Sequence, residues 1–420
     1  MEWIPKHLSL DKKTGFVYPN YDKFCISSIP PTILKLFNIN TKRRKLSRKI
    51  FINEDVENVV LFVIDGFGYN RFLDLINKIE PLNEFVKNST TAAITSVFPS
   101  TTAAAITTFA TGLTPQEHGI PEFVFYCKET DSLFYPLLYS PLGVHDAAEM
   151  YLLSPDPDTI FPKKNIFDIL EKNGIKTFSL IEGNISNSIY TQMMFSPSKI
   201  VSYIDLADMV VKLKKILVNE KGKKFIYVYT SIIDSISHTH GTKSIEYEQA
   251  VENIFYVFWD HFIKKLNPKI LKKTEFLITA DHGQMDFEGK NIIYLNKFRD
   301  VAEVARKDRN GNIIGVGGSP RDMFFYVEKG KLSKAREILK NYLEDYAYIS
   351  TKKKLLNKGL FGYGKTNKNF LERIGDLIII PYGQKGVWFQ NYRGETIVFK
   401  SLHGGLSPEE MIVPLIVYKK

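Results

Sequence analysis

The chain has 420 residues and a formal net charge of +10, and 44% of its residues are hydrophobic. This composition indicates a globular protein with a large core and excludes a chain that is disordered over most of its length. The two cysteines, Cys25 and Cys127, provide neither a disulfide framework nor a thiolate zinc site. No signal peptide and no apolar run of about 18 residues is evident, so the sequence predicts a cytoplasmic protein without a membrane span.

Residues 1–50 contain prolines and end in the basic cluster Lys42–Lys49, which predicts an irregular lead-in. Residues 51–300 alternate strand-like and helix-like patterns, as expected for a core sheet covered by helices. The predicted strands are Val59–Ile64, Lys176–Ile181, Phe225–Ile233 and Phe276–Ala280, and the predicted helices are Lys163–Asn173, Asp205–Val218 and Ile245–Leu266. We therefore predict an α/β fold with a mostly parallel central sheet flanked by helices on both faces.

Residues 301–400 change in character and predict a smaller α+β insertion, a cap subdomain before the C-terminal strand. Its predicted elements are a strand at Met323–Val327, a helix at Lys331–Tyr342, a strand at Leu377–Ile380 and a β-hairpin at Val387–Phe399. Residues 401–420 would then return to the core, because they contain a final apolar run.

Potential metal ligands follow several of the apolar runs. Asp65, Asp234 and Asp281 each stand where a predicted strand ends, His282 follows Asp281, and His403 precedes the last run. Ligands of open α/β sheets gather at the carboxyl ends of the strands. A single aspartate there is as readily a loop cap, but the repetition favours a metal site.

The spacing of Asp234 and His238 would let one helical turn present both to the same ion. His240, two residues further on, is read as exposed or as a supporting residue. Three carboxylates and three imidazoles suit two divalent ions, an arrangement used in phosphoryl displacement, whereas a lone structural zinc needs four ligands.

Three hydroxyl residues, Ser100, Thr101 and Thr102, precede a predicted helix that ends near Gly112. A hydroxyl at a helix N-terminus lies in positive potential beside N–H groups that bind phosphate oxygens. Such a hydroxyl attacks only when it is activated, for example by a metal ion. Simple helix capping is the stronger reading for Ser100 and Thr101, and both readings stay open for Thr102.

Five segments together resemble the alkaline phosphatase superfamily and, within it, the type I phosphodiesterase/nucleotide pyrophosphatase family, in its prokaryotic form. They are VVLFVIDGFG, VFPSTTAAAITTFATGLTPQEHGI, YVYTSIIDSISHTHG, FLITADHGQMD and HGGLSPEEMIVPL, in family order from about residue 57 onward. The resemblance implies two divalent ions, usually Zn2+ with Mn2+ as the alternative. It assigns one ion to Asp65, Thr102, Asp281 and His282, and the other to Asp234, His238 and His403.

The resemblance also implies a reaction: Thr102 attacks phosphorus, and the resulting phosphothreonine is hydrolysed. Two dications, three carboxylates and an alkoxide sum to zero charge, which favours a singly charged diester over a monoester dianion. Arg321 is the candidate substrate-binding cation that would change this sum, and an ordinary salt bridge is its alternative role. The expected partner is a small phosphodiester or nucleotide. Nucleic acid is compatible with the positive charge but is indicated by no motif.

The chain departs from many nucleotide pyrophosphatases in having Ala103 and Ala105, where an aromatic residue and an asparagine are expected. Nucleotide specificity is therefore open, and aromatic residues between Phe123 and Tyr139 are an alternative stacking surface. The competing readings are a phosphomonoesterase, a phosphonate hydrolase or phosphomutase of the same superfamily, or a catalytically idle nucleotide-binding protein. The natural substrate, the role of the insertion and the oligomeric state are not predicted.

Overall fold

A computed structural model describes residues 3–47, 50, 56–144, 149, 152–391, 396–418 and 420. Its centre is a seven-stranded sheet, whose strands we number in chain order. They are β1 (Asn58–Ile64), β2 (Ser89–Thr95), β3 (Lys176–Glu182), β4 (Lys199–Tyr203), β5 (Lys224–Thr230), β6 (Thr274–Thr279) and β7 (Ile412–Tyr418). Their order across the sheet is β2-β7-β6-β1-β5-β3-β4. Only β7 runs against the others, so the sheet is mixed but mostly parallel, as predicted.

Helices flank this sheet, as the sequence predicts. The described α-helices are Ile29–Leu36, Tyr69–Leu75, Glu80–Lys87, Thr102–Thr111, Pro115–His118, Pro157–Ile160, Ile166–Lys172, Ile189–Phe195, Leu206–Asn219, Ile232–His240, Ile245–Phe255, Pro268–Leu271, Arg299–Val304, Leu332–Leu343, Lys352–Asn357, Phe370–Arg373 and Pro408–Met411. A π-helical stretch, Tyr256–Phe262, continues one of them, and short 3-10 turns occur at Ile26–Ser28, Ile263–Lys265, Gly289–Asn291 and Leu295–Lys297. Among the residues described, no helix is long and apolar enough to cross a membrane.

A second sheet lies in the predicted insertion. Its four strands are antiparallel and run in the order Val316–Gly317, Met323–Phe325, Leu377–Pro381 and Ala347–Thr351. A separate hydrophobic cluster surrounds them and also recruits residues from the N-terminal region and from 124–133. Short paired strands complete the fold: Leu10–Asp11 with Phe16–Val17, Met285–Asp286 with Ser401–Leu402, Ile292–Tyr294 with Gly386–Trp388, and the meander Phe125–Cys127, Ser132–Tyr135, Ser140–Pro141.

The structure corrects several predicted elements. The lead-in is not wholly irregular, because Pro30 and Pro31 occupy the first turn of the Ile29–Leu36 helix, where proline needs no hydrogen-bonded N–H. β5 ends at Thr230 rather than at Ile233, since the following apolar residues already belong to a helix. The predicted hairpin at Val387–Phe399 is also wrong in its pairing: Gly386–Trp388 pairs in parallel with Ile292–Tyr294, and its predicted turn falls partly outside the described residues.

Two strands of the central sheet were not predicted at all, β2 and β4. Both are edge strands, and β2 carries the polar sequence STTAAIT with only its last three residues buried. Edge strands face solvent along one side and need no continuous apolar run. Asp65 and Asp281 follow the carboxyl ends of β1 and β6, and Asp234 lies in the first turn of the Ile232–His240 helix that follows β5, so the sheet gathers these residues at one edge.

Candidate metal centre and nucleophile

Asp65, Asp281 and His282 form one buried group, here called the first half-site. Their ligand atoms all lie within 4.8 Å of one another. His282 Nε2 is 3.3 Å from Asp65 Oδ1 and 3.3 Å from Asp281 Oδ2. The other oxygen of Asp281 accepts hydrogen bonds from the backbone N–H groups of Gly66 (3.2 Å) and His282 (2.8 Å). The backbone therefore fixes the carboxylate and directs one oxygen to the imidazole.

Asp234, His238 and His403 form the second half-site, which is partly accessible. Asp234 and His238 lie one turn apart on the Ile232–His240 helix, and His238 Nε2 is 3.3 Å from Asp234 Oδ1. His403 Nε2 is 3.6 Å from the same oxygen. His282 adjoins this group as well, since its ring stacks on that of His403 with centroids 3.8 Å apart. The six predicted ligands thus meet in one place, and His282 lies between the half-sites.

His240, in contrast, points away from this cluster. Its ring nitrogen lies 3.8 Å from Glu246 on the protein surface. This position agrees with the sequence reading of an exposed residue.

Neighbouring groups hold the ligands in place. The hydroxyl of Tyr229 donates to Asp65 Oδ2, and the Gln284 amide donates to Asp234 Oδ1. His238 Nδ1 lies 2.8 Å from the carbonyl oxygen of Ser401, so its other ring nitrogen is directed to Asp234. Such outer partners set the tautomer and orientation of metal ligands.

Burial is the largest influence on the pKa values of the cluster. Burial raises the pKa of Asp65 well above its usual range, and the negative charges of Asp281 and Asp234 add to this. Burial raises the pKa of Asp281 to about 6. Burial opposes ionisation of Asp234 too, but the His238 and His403 imidazoles hold its pKa well below its usual range. Burial lowers the pKa of His282 to about 4 and that of His403 to about 3.

This cluster fits divalent ions on the evidence of its own atoms. The buried oxygens Asp65 Oδ1 and Asp281 Oδ2 have no hydrogen-bond partner, although both face His282. Unpaired carboxylates in a buried site are costly unless they are protonated or bound to a cation. Neutral imidazoles and carboxylates are the ligand types that zinc accepts.

Thr102 is the hydroxyl residue that reaches the cluster. It begins the Thr102–Thr111 helix, and its Oγ1 lies 3.4 Å from Asp65 Oδ2 and 3.2 Å from His282 Nε2. Ser100 instead donates to the Gly405 carbonyl oxygen at 2.8 Å. Thr101 is the N-cap residue, but its side chain makes no capping hydrogen bond. The capping role expected for Ser100 and Thr101 is therefore wrong. Of the three hydroxyl residues, only Thr102 contacts the candidate metal ligands.

A cavity of about 480 Å³ opens onto Thr102 and both half-sites. Phe123 and Tyr135, whose ring centroids are 5.2 Å apart, line one part of it, while Trp388, Ile397 and Phe399 line another. Phe123 is 43% exposed and Phe399 44% exposed. The alternative aromatic surface expected between Phe123 and Tyr139 thus includes two residues that do face the candidate site.

Arg321 does not line this cavity. Its guanidinium is buried and donates two hydrogen bonds to Glu410, at 2.9 and 2.8 Å, and others to the carbonyl oxygens of Gly383 and Lys385. The predicted substrate-binding role is therefore wrong, and the salt-bridge alternative is correct. Arg321, the cation that would have favoured a dianionic substrate, is paired with Glu410 instead.

Glu122 is a cavity residue that sequence reasoning missed. It is fully buried, and burial raises its pKa to about 8. Burial and the negative charge of Glu122 raise the pKa of Asp322 well above its usual range. Burial thus favours the protonated form of both carboxyl groups. Glu122 lies outside the segments that carry the family resemblance, so only the fold reveals the pair.

Comparison with known proteins identifies the family of this chain. The profile of the family described as "Type I phosphodiesterase / nucleotide pyrophosphatase" matches residues 59–406, most of the chain. The chain belongs to the type I phosphodiesterase/nucleotide pyrophosphatase family. It is accordingly a hydrolase of phosphoric ester or anhydride bonds from a metal-dependent family, as the sequence motifs implied. No curated protein matches the chain.

Solved structures share the fold of this family member. Murine ectonucleotide pyrophosphatase/phosphodiesterase 5 aligns with a TM-score of 0.64 and 14% identity, over 85% of this chain and 87% of that one. The human protein of the same name gives 0.63 and 15%, over 85% and 87%. Phosphonoacetate hydrolase from Sinorhizobium meliloti, in complex with phosphonoformate, gives 0.59 and 15%, over 86% and 90%. At these identities the likeness shows the fold alone.

Proposed function

We propose that the chain is a two-metal phosphodiesterase/nucleotide pyrophosphatase that hydrolyses its substrate through a phosphothreonine at Thr102. The observation that carries the proposal is the position of the Thr102 hydroxyl at a helix N-terminus, 3.4 Å from Asp65 and 3.2 Å from His282. An inactive threonine-to-alanine variant of the murine structural relative has been solved in complex with AMP, which supports a threonine as the reacting group.

The ligand set indicates which residues would hold the ions. Asp65, Thr102, Asp281 and His282 would hold one, and Asp234, His238 and His403 would hold the other. Bound zinc ions would supply Lewis-acid stabilisation of charge on the attacking and leaving oxygens. The cavity adds an apolar and aromatic wall that can hold the organic part of a substrate.

The protein residues would supply the nucleophile and the groups that bind the phosphate. Thr102 supplies the oxygen that forms a bond to phosphorus while the bond to the leaving oxygen breaks, and water then cleaves the phosphothreonine. The first N–H groups of the Thr102–Thr111 helix lie beside this hydroxyl and suit a phosphate oxygen. With Arg321 paired to Glu410, the balance of charge favours a diester or anhydride over a monoester dianion.

The test is hydrolysis of bis-p-nitrophenyl phosphate against p-nitrophenyl phosphate by protein loaded with zinc. We expect about two zinc ions per chain, faster turnover of the diester, and a loss of at least about 1000-fold in kcat for Thr102→Ala. The matched control is Thr239→Ala, which removes an exposed hydroxyl bonded to the Ser235 carbonyl at 3.0 Å. A Thr102→Ala variant with unchanged rate contradicts the proposal, and a monoester or phosphonate preference replaces it with the corresponding alternative.

A further inference from the structure

Tyr229 contacts Asp65, a candidate metal ligand, but has no step of its own in the proposed reaction. It lies on β5 opposite Val63 of β1, and its side chain is buried, with the residue 7% exposed. Its hydroxyl donates to Asp65 Oδ2, while Asp65 Oδ1 has no hydrogen-bond partner. The two oxygens of one carboxylate are thereby made different: one is occupied by the phenol, and the other faces His282 at 3.3 Å.

The backbone of β5 beside this contact is also held in place. The Tyr203 hydroxyl donates to the Tyr229 carbonyl oxygen at 2.6 Å, and the Asp65 N–H donates to the next carbonyl oxygen, that of Thr230, at 3.0 Å. Glu182 then fixes the corner after β5 by accepting from the Thr230 hydroxyl at 2.9 Å and from the Ser231 N–H at 2.8 Å. Asp65 is thus joined to the Tyr229 side chain by its carboxylate and to the backbone of the next residue, Thr230, by its N–H.

From this geometry we propose that Tyr229 is a positioning residue for the first half-site, which keeps Asp65 Oδ1 directed at the space where a divalent cation binds. The inference rests on the proposed function only in requiring that an ion binds there. Tyr229 would act through Asp65 and would not react with the substrate. Without the phenol hydroxyl, Asp65 could rotate, and its Oδ2 would keep only the longer contact with the Thr102 hydroxyl, at 3.4 Å.

The size of the effect follows from the behaviour of outer partners at metal sites. Loss of a hydrogen bond to a metal-ligating group lowers metal affinity by about 10–100-fold. Tyr229→Phe deletes the hydroxyl and retains the ring, so the packing of the strand is preserved. The loss should be confined to one of the two ions, because Tyr229 contacts Asp65 and the second half-site has its own partners, Gln284 and Ser401.

The experiment is a titration of metal-free, full-length protein with Zn2+ alone, in competition with a chromogenic chelator. We expect wild-type protein to bind two equivalents and Tyr229→Phe to bind one equivalent about 10–100-fold more weakly. The control is Tyr190→Phe. This buried tyrosine lines a neighbouring cleft together with Tyr229, but its hydroxyl pairs with Thr107 at 2.9 Å. The Tyr190→Phe protein should bind both equivalents of Zn2+ with the affinities of the wild type.

The activity of Tyr229→Phe provides a second test. If Tyr229 only positions the ligand, saturating Zn2+ should restore kcat to Tyr229→Phe in large part. Two results overturn the inference alone: an unchanged affinity in Tyr229→Phe, or an equal loss in Tyr190→Phe, which would indicate general loosening of the cleft. Wild-type protein that binds no zinc overturns both this inference and the proposed function.

Discussion

Replacing Asp281 by asparagine tests whether buried carboxylates destabilise the protein in the absence of metal. The carboxylate accepts backbone hydrogen bonds through Oδ1, and its Oδ2 has no partner. Asparagine can keep its carbonyl oxygen in the first position and place an amide near Asp65 in the second. We therefore expect Asp281→Asn to retain the fold, to relieve repulsion, and to lose a metal ligand.

The magnitude follows from the raised pKa of Asp281, about 6 in the folded protein against a reference value of 3.8. The folded state binds the proton more tightly, so the contribution of this group to stability is greatest below about pH 4 and is lost as the pH rises through 6. A difference of about two pKa units corresponds to about 3 kcal/mol. At pH 7 the metal-free variant should be more stable than the metal-free wild type by up to about this amount.

The assay is urea unfolding in excess EDTA, followed by tryptophan fluorescence and far-UV circular dichroism, at pH values from 4 to 8. The stability difference between Asp281→Asn and wild type should vanish near pH 4, and added Zn2+ should reverse its sign at pH 7. Asp22→Asn is the control, since Asp22 is exposed. A metal-free variant that is less stable than wild type at pH 7, or a difference that does not change with pH, would refute the reasoning.

Two further outcomes concern residues outside the ligand set. Arg321→Met should lower the free energy of unfolding by about 3–5 kcal/mol, because it leaves Glu410 as a buried unpaired charge. A raised KM at unchanged stability would instead indicate that Arg321 binds the substrate. Phe123→Ala should raise the KM for bis-p-nitrophenyl phosphate about 2–10-fold with little change in kcat, since an aromatic contact contributes about 0.5–1.5 kcal/mol. Leu371→Ala, equally exposed but outside the cavity, is its control in the same steady-state assay, and equal KM values for the two variants would argue against a substrate contact.

The sequence predicted the central strands and indicated the candidate ligand residues because each depends on a local pattern. A buried parallel strand is a continuous apolar run, and the residue that ends it lies at the edge where ligands gather. Asp65, Asp234 and Asp281 could be found in this way, and the four-residue spacing gave His238. The edge strands β2 and β4 lack such a run and were missed.

Local sequence patterns could not predict the contacts between segments that are distant in the chain. Arg321 stands in a polar turn that is equally compatible with binding a phosphate or an acid, and only the fold brings Glu410 to it. Tyr229 looks like one more aromatic residue of a strand until β1 and β5 are placed side by side. Glu122 carries no motif, and its raised pKa is a consequence of burial that composition does not reveal.

The position of β7 has a consequence for biosynthesis. This strand lies inside the sheet, between β2 and β6, and the segment just before it carries His403 and the Glu410 that holds Arg321. A nascent chain that ends before β7 therefore leaves the facing edges of β2 and β6 open, and one that ends before His403 also lacks a candidate ligand. We expect the proposed centre to form only after β7 has been made and inserted, so a ribosome-bound chain truncated before His403 should be inactive and should expose β2 and β6 to chaperones.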